Sequence, residues 1–129
     1  MQEAVMAKQI LVVDDEPGIV NLLTSLLKGK GYVVRSAHDG ESALRQIDQA
    51  MPDLVLLDIM MPGIGGIAVA ETLERQPSTA HIPVVFLTSL VAGEEVKQTE
   101  HRIGGRLFLS KPFNLPDLLL VIETALTTS

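Results

Sequence analysis

The sequence predicts a doubly wound α/β domain, and three observations carry that reading. Five short runs rich in Val, Ile and Leu have strand length. They are near-continuously apolar, as strands of a parallel sheet covered on both faces are. Stretches with apolar residues at helical spacing separate them, so the elements alternate as βαβαβαβαβα.

The elements follow in chain order. "QILVV" at 9 to 13 is the first strand, after a loose leader over residues 1–7. Ile19, Leu22, Leu23, Leu26 and Leu27 give the first helix its apolar face, closed by "GKGY". "YVVRSA" at 32 to 37 is the second strand, and Ala43, Leu44 and Ile47 mark a shorter helix closed by "MPD". "DLVLL" at 53 to 57 is the third strand, and a third helix is expected after the "MPG" break at residues 61–63. "IPVVFLT" at 82 to 88 and "RLFLS" at 106 to 110 are the fourth and fifth strands. Between them "AGEEVKQTEHRIGG" offers only Val96 and Ile103 as strong apolar anchors, so the fourth helix is poorly specified. "LPDLLLVIETALTT" forms the last helix, apolar on more sides than one core-facing stripe requires.

Composition narrows the function. A chain of 129 residues supports one domain, expected over 8–127. No apolar run approaches the roughly 18 residues of a membrane span, and cytoplasmic placement is expected. The chain has no cysteine, which removes disulfide and thiolate chemistry. A net charge of −6 argues against non-specific binding to nucleic acid or anionic lipid and is no obstacle to a divalent cation. His38, His81 and His101 are scattered and read as surface residues.

Parallel strands gather their C-terminal ends on one rim, where ligands of such sheets bind. The first strand ends in Asp14 and Asp15, the third in Asp58, the fourth in Thr88 and Ser89, and the fifth in Lys111 before Pro112. Asp58 is conspicuous, since "DLVLLDIMMPG" embeds it among apolar residues and a buried carboxylate needs a compensating partner. Two carboxylates about 4 Å apart repel by about 4 kcal/mol at an effective dielectric of about 20. Three of them, with no His or Cys cluster nearby, call for a hard cation, and Mg²⁺ suits an all-oxygen set.

"LVVDDEP", "DLVLLDIMMPG", "PVVFLTS" and "FLSKPF", in this order at strand ends, together resemble the receiver domain of two-component response regulators. The resemblance covers nearly the whole chain. It implies a flavodoxin-like (βα)5 fold with strand order 2-1-3-4-5. It also implies phosphoryl transfer to Asp58 from a sensor histidine kinase or a phosphotransfer protein. Asp15, Asp58 and the backbone carbonyl of Met60 would ligate Mg²⁺ directly, with Asp14 acting through water. Thr88, Ser89 and Lys111 would meet the phosphoryl oxygens, and Lys111–Pro112 would be cis. Thr88 and Phe108 would form the switch, with Phe108 rotating inward. A downstream effector, or a second copy in a homodimer, would dock on the face made by the fourth helix, fifth strand and fifth helix.

Three departures bear on these expectations. Gly65 stands where many receivers carry an acid before the third helix, so a helix cap is lost. The stretch from Thr88 to Gly104 is one residue longer than usual. Arg106 and Leu107 replace an acidic pair, which weakens any dimer built on salt bridges there. Other functions fit less well. An aspartate-nucleophile phosphatase of the haloacid-dehalogenase type needs a second Asp at position 60, which is Met60. A phosphate-independent interaction module has no use for Asp58, Thr88 and Lys111 together. A nucleotide or flavin binder lacks its Gly-rich loop, and "PGIGG" lacks the Lys and Ser/Thr of a P-loop. Little sequence follows "SKPFN", so the chain reads as a stand-alone receiver or as a piece of a longer protein.

Overall fold

The computed structural model of the protein describes residues 7–89, 102–103 and 106–128. Its elements are β1 (Gln9–Val13), α1 (Pro17–Gly29), β2 (Val33–Ala37), α2 (Gly40–Gln49), β3 (Leu54–Asp58), α3 (Gly66–Arg75), β4 (Val84–Thr88), β5 (Arg102–Ile103), β6 (Arg106–Ser110) and α4 (Leu115–Thr128). All but the last residue of the leader and most of the expected fourth helix lie outside the described residues, but Ile103, read as an apolar anchor of that helix, is instead in strand β5.

Five strands are parallel and adjacent in the order β2-β1-β3-β4-β6, so the expected 2-1-3-4-5 order is present, with β6 as the fifth parallel strand. One feature was not expected. The two-residue β5 adds antiparallel to the outer edge of β6, pairing Arg102 with Leu107 and Ile103 with Arg106. Gly104 and Gly105 separate the paired residues, and a Gly-Gly dipeptide is a signal for a tight hairpin.

Each inner strand is apolar on both sides because each side has its own helical layer. Successive side chains of a strand point to opposite faces. Leu11, Val13, Val55, Leu57 and Phe86 therefore join Ala43, Ile47 and Val69 of α2 and α3 on one face. Ile10, Val12, Leu54, Leu56 and Leu87 join Leu23, Leu27, Leu118 and Ile122 of α1 and α4 on the other. At the sheet edge β2 is less apolar, and Val33 is largely exposed.

The helices are fixed at their ends by local chemistry. Pro17 opens α1, and the helix closes through Gly31, whose φ of 94° suits a residue without Cβ. Asp39 caps α2 by accepting a 2.8 Å hydrogen bond from the Ser42 N–H. Asn114 does the same for α4, accepting from the Asp117 N–H at 2.9 Å. At α3 the N-cap is Gly65, and no side chain caps the helix, as the missing acid implied.

Candidate functional site

Parallel strands bring the carboxylates together. Asp14 directly follows β1, and Asp58 is the last residue of β3, one strand away. Both are buried, at 0% and 4% exposure, whereas Asp15 turns outward. One carboxylate oxygen from each of Asp14, Asp15 and Asp58 lies within 4.8 Å of the others. Thr88 ends β4, the strand next to β3, and is buried, and Ser89 after it is exposed. Lys111 follows β6, where its N–H donates to the Thr88 carbonyl at 2.9 Å. The Lys111–Pro112 peptide is cis, as the resemblance implied.

The Lys111 ammonium is the cation of the site. Its Nζ is 2.9 Å from Asp14 Oδ2, 3.1 Å from Glu16 Oε1 and 3.6 Å from Asp58 Oδ2. Burial alone would pull its pKa down, but hydrogen bonds with Asp14 and Glu16 and the charges of Asp14 and Asp58 outweigh it, and the pKa rises above the ordinary lysine value. The Asp58 pKa rises as well, which for an acid disfavours the ion. Burial first, then the charge of Asp14, raise its pKa from 3.8 to about 6, against the Lys111 charge and a hydrogen bond from the Met60 N–H. That N–H donates to Asp58 Oδ1 at 3.3 Å, leaving Oδ2 toward Lys111. Met60 itself is 60% exposed, so its side chain is not held in the core.

One ammonium does not satisfy three carboxylates. The fully buried Asp14 Oδ2 receives no well-directed hydrogen bond, although Lys111 is in ion-pair contact. A fully buried carboxylate oxygen held only by a shared ammonium group, beside two further carboxylate oxygens, fits a hard divalent cation. A cleft of about 210 Å³ lined by Asp15, Glu16, Asp58, Met60, Ser89 and Lys111 opens the cluster to solvent.

The sequence-based candidates therefore converge, with two qualifications. Phe108 lies on β6 beside Phe86 and is only 2% exposed, so an inward rotation would begin from an enclosed ring. Glu16 was given no role from sequence, yet it shares the ammonium group. The signal available was its place two residues after Asp14 in "DDEP".

A doubly wound sheet with three clustered aspartates and a lysine at its rim defines a class of phosphate-handling regulatory domains. The sequence matches the model of the response regulator receiver domain over residues 10–123, and the chain belongs to that family. It is the receiver domain of a two-component response regulator. It is 42% identical over 110 residues to response regulator PleD of Caulobacter vibrioides, covering 84% of this chain and 24% of PleD. It is 37% identical over 122 residues to the phosphate regulon transcriptional regulatory protein PhoB of Escherichia coli, covering 94% of this chain and 52% of PhoB. The chain thus spans about a quarter of one relative and about half of the other. Response regulator protein TrrA of Thermotoga maritima, solved in complex with Mg²⁺-BeF, superposes with a TM-score of 0.76 at 33% identity, over 92% of this chain and 98% of that one.

Proposed function

We propose that Asp58 is the phosphoacceptor and that a sensor histidine kinase or a phosphotransfer protein supplies the phosphoryl group. An Asp58 oxygen attacks the phosphorus of the donor phosphohistidine. The new O–P bond forms as the P–N bond breaks, and its electron pair leaves on the imidazole nitrogen, which is protonated. Such transfers depend mainly on positioning and on neutralising the phosphoryl oxygens. The Met60 N–H orients Asp58, while the Lys111 ammonium and the hydroxyls of Thr88 and Ser89 take the phosphoryl oxygens. Asp14, Asp15, Asp58 and the Met60 carbonyl would hold Mg²⁺, which supplies further positive charge for those oxygens. Asp15 and Asp58 would be the direct carboxylate ligands, with Asp14 acting through water.

The observation that carries this reading is the buried Asp58 carboxylate, with Lys111 Nζ at 3.6 Å, grouped with two other carboxylates in an open cleft. The domain acts as a switch that assists its own phosphorylation and dephosphorylation, without turnover of another substrate. The reading places the domain in the cytoplasm, and no helix among the described residues is long and apolar enough to cross a membrane. Output goes to an effector or a second copy docking on the face that includes β6 and α4. Incubation with Mg²⁺ and acetyl phosphate should add one phosphate by mass, labile to alkali and absent in Asp58→Ala. Full labelling of Asp58→Ala would move the acceptor elsewhere.

A further inference from the structure

Lys111 has three N–H donors and three carboxylate neighbours. Asp14 is wholly buried at 2.9 Å, and Asp58 lies at the longer 3.6 Å. Glu16 takes a hydrogen bond from Nζ at 3.1 Å, although its side chain is 61% exposed and stands at the mouth of the cleft. Of the two short contacts, the exposed one is the easier to give up, because water can replace the lysine there. An exposed ion pair is weak for the same reason.

We infer that Glu16 is a positioning residue, a displaceable acceptor that holds a Lys111 donor until a phosphoryl oxygen takes it. The inference rests on Asp58 being the phosphoacceptor. Releasing Glu16 is then part of the cost of reaching the transition state, since Lys111 must exchange one carboxylate contact for the oxygen of the transferring group. The backbone supports this as a side-chain effect. The Glu16 N–H donates to Asp14 Oδ1 at 3.0 Å, and its carbonyl accepts from Ile19 and Val20 of α1. Truncating the side chain leaves those bonds in place.

The test is a double-mutant cycle. Wild type, Glu16→Ala, Lys111→Ala and the double variant are phosphorylated by acetyl phosphate at saturating Mg²⁺, and the one-phosphate mass gain is followed in time. Glu16→Ala should raise the second-order rate by about 1.5- to 5-fold, the range expected for an exposed ion pair. On the Lys111→Ala background the same truncation should do nothing. Glu16→Asp keeps the charge and loses a methylene of reach, so it should resemble Glu16→Ala. An unchanged or slower Glu16→Ala overturns the inference. So does an equal gain on the Lys111→Ala background, which would mean that Glu16 merely repels the incoming anion. Wild type that gains no phosphate removes the phosphoacceptor reading and this inference together, whereas a labelled wild type with a flat cycle removes only the role of Glu16.

Discussion

At the scale of single residues, Asp58 is a group placed against its own stability. Its pKa rises from 3.8 to about 6 because burial and Asp14 penalise the ion. A raised folded-state pKa means that the native state binds the proton more tightly than the unfolded chain. The resulting stabilisation is full below 3.8 and is lost as pH rises through about 6. Asp58→Asn removes the ionisation, so in metal-free buffer its advantage in urea midpoint over wild type should grow across that window and then level off. Parallel curves through the window would contradict the assigned cause. Mg²⁺ should narrow the gap by stabilising the wild-type carboxylate. If Asp15 is a direct ligand and Asp14 acts through water, Asp15→Asn should weaken Mg²⁺ binding more than Asp14→Asn, measured by calorimetry. Equal affinities would contradict the division into a direct and a water-mediated ligand.

Among the elements, the connection from β3 to α3 determines where Asp58 sits. A Cβ on Gly66 would lie 2.2 Å from the Asp58 carbonyl oxygen, and one on Gly40 would lie 2.8 Å from the Ile64 carbonyl oxygen. Backbone is hard to displace, so Gly66→Ala must move the end of β3. It should cost about 1 to 3 kcal/mol in urea unfolding, as overpacking does, and should slow acetyl phosphate labelling beyond any effect of the lost stability. Wild-type labelling in Gly66→Ala would show that the loop, not Asp58, absorbs the strain. The strands were legible in sequence because burial on both faces leaves uninterrupted apolar runs, and "RLFLS" is β6 residue for residue. Asp14, Asp58, Thr88 and Lys111 were legible because parallel topology alone sends strand ends to one rim. Glu16 was not, since its contact with a residue 95 positions away depends on how two flexible side chains meet. Arg106 was read as a departure that weakens a salt-bridged dimer, but its partner was hidden too. It pairs within the chain with Glu74 of α3 at 3.1 Å.

Across the molecule, the sheet itself connects the site to a distant groove. Asp58 pairs in register with Leu87, and Thr88 pairs with Ser110, so two strand crossings lead from the acceptor to β6. Beyond β6 lies a groove of about 160 Å³ against α4, where Phe108, Ser110 and Pro112 face Leu120 and Val121. Leu120 on its α4 side is 63% exposed. On the proposed reading, a phosphoryl group on Asp58 would add acceptors for the Thr88 hydroxyl, and movement of Thr88 would reach Ser110 through the β4–β6 ladder. The enclosed Phe108 ring would then repack within the core, and a population shift between two arrangements of this face is the expected result. Hydrogen exchange with and without Mg²⁺ and beryllofluoride should therefore change in residues 106–121 while β2 and α2 stay constant. Thr88→Ala should keep the local change around Asp58 and lose the distant one. Protection changes confined to the Asp58 loop in wild type, or a distant change that survives Thr88→Ala, would show that the signal leaves the site by another route.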